Sequence, residues 1–154
     1  MPPGRTPGPP GMTVDRPARF AVALELLVAA GALGGGTAML ADPSGGLIGL
    51  PAWMLERLPV RSWTLPGLGL IACNGAAPIV TAVATLRGHR WPGRWGHLLV
   101  GAVVTTWPVT ETVLFGYPVT GEPLWLRPGV ALVGLTIATA GALPNLTRAA
   151  GVAR

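Results

Sequence analysis

Four apolar runs, at about 20 to 41, 66 to 86, 97 to 116 and 128 to 147, each approach the roughly twenty residues an α-helix needs to cross the hydrocarbon layer of a bilayer. With half of its 154 residues hydrophobic and 11% charged, against about 25% charged in a soluble domain, the chain has too little charge to coat a water-facing surface. The pattern predicts an all-α fold, a four-helix transmembrane bundle over residues 20–147, with the lipid bilayer as its solvent. The first run starts beside Arg residues like a secretory signal, but a signal core holds about 7 to 15 apolar residues and this run continues for about twenty.

Outside the runs there is little to fold. Six of the first nineteen residues are proline and no apolar period links them, so the segment buries too little surface to offset its ordering entropy. Residues 1–19 are expected to be a disordered tail and 148–154 a short one. Nothing before Met12 has a structural signature, so Met12 and Met1 are both candidate starts. All eleven basic residues are Arg and, with 23 Gly and 17 Pro, read as the coding bias of a GC-rich bacterial genome. A nucleic-acid binder would gather its charge on one soluble face; here Arg lies between apolar segments, and no nucleic-acid partner is expected. One Cys excludes a disulfide scaffold or a thiolate metal site.

Arg placement gives the orientation, because cytoplasmic loops retain positive charge. Arg5, Arg16, Arg19, Arg87, Arg90, Arg94, Arg148 and Arg154 fall on one side, and Arg57, Arg61 and Arg127 on the other, near Asp42, Glu56 and Glu122. Eight against three puts both termini in the cytoplasm, in a multi-pass protein of the bacterial cytoplasmic membrane. Trp91 and Trp95 then mark the inner headgroup level, and Trp53, Trp63, Trp125 and Tyr117 the outer one. Trp107 alone lies mid-membrane, where its indole N–H needs an acceptor and a helix-facing position. The outer segment 42–65 opens with the turn cluster Asp42-Pro43-Ser44-Gly45-Gly46. Pro51 can then start a short interfacial helix over Ala52 to Leu58.

The stretch Asp42 to Pro51 (DPSGGLIGLP), the PGLGL of Pro66 to Leu70 and the pair Trp107 with Glu111 resemble a pattern in small, uncharacterised four-helix membrane proteins of GC-rich bacteria. The resemblance covers most of residues 20–147. It implies the four-helix architecture and carries no activity, cofactor, catalytic residue or binding residue.

Two carboxylates lie within the predicted spans, Glu25 and Glu111, and an ionisable residue at membrane depth is a functional candidate. At 1.5 Å per residue each lies about 8 Å inside an opposite boundary, which leaves roughly 15 Å between them in a span of about 30 Å. They are read as separate sites. Glu111 is level with Asn74 and Thr136 and one turn from Trp107; Glu25 is level with Thr81, Thr85 and Asn145. Pro78 frees the carbonyl of Asn74, and Pro108 that of Val104. Asn74, Pro78, Trp107, Pro108, Glu111 and Thr136 therefore make the candidate ligand or proton site, with Glu25 a second intramembrane carboxylate. The competing reading makes both carboxylates hydrogen-bonded packing residues.

Gly31 and Gly35, and Gly134, Ala138 and Ala142, form small-residue faces that fit another helix of the chain, a second copy or a partner membrane protein. Cys73 is expected as a small core residue, and His89 and His97 as headgroup contacts beside the inner Arg loop. Thr112 to Tyr117 partly matches the TVGYG filter of potassium channels. Leu114 replaces its first Gly, however, and the filter topology would move Arg87, Arg90 and Arg94 outside. No nucleophile with a base, metal cluster, cofactor motif or phosphate loop is present. The expectation is a non-catalytic structural, accessory or partner-binding membrane component. The alternative is a small proton-coupled transporter, or a lipid- or small-molecule-binding protein, that uses Glu111 and secondarily Glu25. An intramembrane enzyme ranks behind both.

Overall fold

The computed structural model describes residues 15–119 and 121–152, apart from the side chains of 93, 94 and 143–152. All regular structure among them is helical: α1 (Arg16–Ala41), the single turn α2 (Trp53–Glu56), α3 (Thr64–Leu86), α4 (His97–Phe115) and α5 (Leu126–Val152). α1, α3 and α4 are long and apolar enough to cross a membrane, which marks a membrane protein. The described apolar part of α5, Leu126–Ala142, is shorter.

α1 starts four residues before the expected boundary at 20. Pro17 falls in its first turn, where the missing N–H costs nothing, and the Arg19 amide donates to the Asp15 carbonyl at 3.0 Å. Residues 16–19 thus belong to the helix, and the expected disorder of 1–14 lies outside the described residues. α5 likewise starts at Leu126 and stays helical through Val152, beyond the expected end at 147.

The segment between α1 and α3 is more tightly folded than an interfacial strap. Asp42 caps α1 with its backbone amide on Ala38 at 2.9 Å. Its carboxylate accepts the Ser44 hydroxyl at 2.6 Å and the Leu47 amide at 2.8 Å, the side-chain-to-backbone bonding that makes Asp a turn former. α2 has one turn where two were expected, because Pro59 disfavours a helical conformation at Leu58. Met54, Trp63 and Phe115 bury one another in a cluster, and Arg57 donates to the Leu114 carbonyl at 3.1 Å. Trp63, expected at the headgroup level, is 4% exposed; the cluster holds it beneath α2.

Proline reshapes two helices without ending them. Over Ile71–Ala76, just before Pro78, α3 widens to a π-helical turn in which the Ala77 amide reaches the Ala72 carbonyl. A second such turn, Pro92–Gly96, feeds α4, with the His97 amide on the Pro92 carbonyl. Such i→i+5 turns change which residues face inward and often occur at functional positions.

The helices approach closely where small residues meet, the arrangement that lets lipid-embedded helices gain packing contacts. A Cβ on Gly36 would stand 2.9 Å from the Gly67 carbonyl oxygen, so α1 and α3 are in near backbone contact there. Gly36 therefore makes this crossing; Gly35 only touches Leu70, and Gly31 has open space beside it. On α5, Gly134 and Ala138 pack against Gly101 and Thr105 of α4, which assigns that face to a helix of the same chain. Thr105 adds a bond to the Ala131 carbonyl at 3.3 Å. Val100, Val104 and Ile137 form the core between α4 and α5.

Candidate functional site

A cavity of about 570 Å³ opens between α1, α3, α4 and the start of α5, towards the end of the bundle that carries α2. Its walls are apolar, with Val28 and Ala32 of α1, Leu70 of α3, and Val130 and Val133 of α5. Six residues with polar groups interrupt them: Asn74, Trp107, Glu111, Glu122, Trp125 and Arg127. A volume of roughly 300 to 1,000 Å³ with a few convergent polar groups is the usual form of a small-molecule site.

Four of the six residues expected here, Asn74, Trp107, Pro108 and Glu111, share this cavity, whereas Pro78 and Thr136 are not in its wall. Asn74 sits in the π-helical turn of α3, is 4% exposed, and its Nδ2 has no hydrogen-bond partner. Trp107 and Glu111 lie one turn apart on α4, and the indole Nε1–H donates to Glu111 Oε1 at 2.8 Å. The acceptor that Trp107 requires is thus on its own helix, and the ring is half-buried against the cavity. Thr136 stands elsewhere. Its hydroxyl donates to the Leu132 carbonyl at 2.7 Å and it is not part of the cavity wall, since equal depth along a helix does not fix the direction a side chain faces.

Arg127 organises the polar side of the cavity and was not expected there. It is 6% exposed; its Nε donates to Glu122 at 2.9 Å, and its guanidinium also donates to the Gly116 carbonyl at 2.8 Å. Glu111 Oε2 is 3.9 Å from Arg127 Nε, in the field of the guanidinium but beyond hydrogen-bond reach. Two carboxyl groups therefore face one guanidinium, and Glu122 holds the shorter contact.

Glu25 has a different environment. It is fully buried, and its Oε1 lies 2.8 Å from Nδ1 of His97, itself 1% exposed. His97 Nε2 is 3.2 Å from the Thr85 hydroxyl, which also reaches the Thr81 carbonyl at 2.8 Å. Thr85 is linked to Glu25 only through His97, and Thr81 only through its carbonyl on Thr85; the Asn145 side chain lies outside the described residues. The headgroup role expected for His97 is overturned: the turn Pro92–Gly96 delivers it into the bundle, and a Cβ on Gly141 would overlap its ring, so α5 is hollowed to admit it. His89 is exposed. Cys73, expected in the core, is exposed, because the widened turn aims Asn74 inward in its place.

Among the described residues, no group of three His, Cys, Asp or Glu side chains is arranged to hold a metal ion. Comparison with known proteins yields no matching family model, no similar curated protein and no similar solved structure.

Proposed function

We propose that the chain is a four-helix, multi-pass protein of the bacterial cytoplasmic membrane, with both termini inside, that binds a lipid or another small amphiphile without catalysis. The Arg asymmetry supports the orientation. The 27 helical residues of α5, about 40 Å at 1.5 Å per residue, support a fourth span. The resemblance of the DPSG and PGLGL stretches to small four-helix membrane proteins of GC-rich bacteria supports the same architecture.

The observation that carries the binding reading is the convergence of Asn74, Trp107, Glu111 and Arg127 on one otherwise apolar cavity. An occupant would lay its apolar body along Val28, Ala32 and Val130. Its polar end would meet Glu111 Oε2 and the Asn74 amide. Because Glu111 Oε2 accepts while the unpartnered Asn74 Nδ2 donates, a head that both donates and accepts hydrogen bonds fits best. A structural or partner-binding component would need no occupant, and Glu111 would serve only its bond to Trp107.

Native mass spectrometry of the protein released from lipid nanodiscs separates the two. Binding predicts a retained non-protein mass whose affinity falls about tenfold in Glu111→Gln and Trp107→Ala, a change of about 1.4 kcal/mol. Thr136→Ala, outside the cavity, should leave it intact. Bare protein, or equal retention in Glu111→Gln, would refute the assignment.

A further inference from the structure

We propose that Glu25, His97 and Thr85 form a buried proton-binding site, distinct from the cavity, whose two states differ by one proton and the rotation of one hydroxyl. Three helices contribute, with Glu25 from α1, Thr85 from α3 and His97 from α4. Glu25 and His97 are 0% and 1% exposed, so their hydrogen-bond partners determine which protons they carry.

The Thr85 hydroxyl has one proton and two acceptors within reach, the Thr81 carbonyl at 2.8 Å and His97 Nε2 at 3.2 Å. When it donates to Thr81, its oxygen must accept from His97, so Nε2 carries a proton. A second proton then lies between His97 Nδ1 and Glu25 Oε1, at 2.8 Å. Whichever atom holds that proton, the pair is neutral overall. When the hydroxyl turns to donate to Nε2, that nitrogen must be bare, Nδ1 keeps its proton, and Glu25 is an ionised acceptor. The pair then carries one negative charge and has released one proton to bulk water. No heavy atom needs to move between the two states.

The surroundings suit exchange and not only a fixed bond. Glu25 Oε2 is buried without a hydrogen-bond partner, so the carboxyl is incompletely satisfied, whereas a purely structural polar network is expected to satisfy every member. Among the described side chains, no second charge is paired with Glu25 or His97. Among the described residues of the elements around it, Arg16 and Arg19 of α1 and Arg87, His89 and Arg90 after α3 are exposed. The remaining described titratable side chains of α4 and α5, Glu111 and Arg127, belong to the cavity, and those of Arg94 and Arg148 lie outside the described residues. Gly141 leaves the space the ring requires.

The chain has two histidines, so ¹⁵N-histidine labelling followed by NMR in nanodiscs tests the site, with His89→Gln assigning the signals. Between about pH 4 and about pH 10, a range that brackets ordinary imidazole titration, His97 Nε2 should change once from the protonated to the bare type, while Nδ1 ends protonated. In Glu25→Gln the change should vanish, because a buried imidazole without its counter-charge stays neutral. A His97 Nε2 signal of one type across the range would overturn the proposal using the wild-type protein alone. A step that persists in folded Glu25→Gln would equally overturn the pairing.

Discussion

Gly101 and Gly134 meet backbone to backbone where α4 crosses α5. A Cβ on Gly101 would stand 2.5 Å from the Gly134 carbonyl oxygen, and one on Gly134 would stand 2.7 Å from that of Gly101. Neither neighbour is the flexible end of a side chain, so the helices themselves would have to separate. Gly134→Val should therefore lower stability by about 1 to 3 kcal/mol or more, read as a fall in the unfolding midpoint in detergent. Gly31→Ala faces open space and should change it little.

Glu25 and His97 predict an asymmetry between single and double replacements. Removing one partner leaves the other buried with unmet polar atoms, so His97→Ala should cost about 3 to 5 kcal/mol. Replacing both by apolar residues removes the desolvation problem together with the bond. The double variant Glu25→Leu/His97→Leu should unfold at a higher temperature than His97→Ala. A double variant less stable than the single one would show that the pair is a net source of stability.

Asp42 gives the loop after α1 its pH dependence. The Ser44 hydroxyl, followed by the backbone amides of Leu47 and Ser44, stabilises the carboxylate and holds its pKa below the usual 3.8. A depressed carboxylate pKa contributes stability that is fully present above the unfolded value and is lost as pH falls through the folded one. Protection of the Leu47 amide, the slowing of its exchange relative to the unstructured chain, should thus persist down to about pH 4 and fall below it. Asp42→Asn should exchange faster at neutral pH and lose the acid step.

Depth along the chain was readable, and direction was not. The apolar runs gave α1, α3 and α4 their approximate bounds, and the 1.5 Å rise per residue brought Asn74, Trp107 and Glu111 to one level. Whether side chains at one level meet depends on rotation about each helix, which separates Thr136 from the cavity. The two π-helical turns add to this. They exchange Cys73 for Asn74 on the inward face and carry His97 from the boundary to Glu25, and only the prolines at 78 and 92 hint at either. Arg127 was hidden by charge counting, which treats loop cations as solvated; its place five residues after Glu122 and next to Pro128 was the available signal.

The hollow at Gly141 also fixes the sliding position of the last helix. His97 lies flush with Gly141 while Gly101 lies flush with Gly134, so two notches on α5 engage two points on α4. Sliding by one turn would bring either position 137 against the imidazole, with Val130 against Gly101, or position 145 against the imidazole, and each of these carries a Cβ. Like a key cut at two heights, the pair of helices accepts a single alignment, and the residue that occupies the second notch is the histidine that meets Glu25.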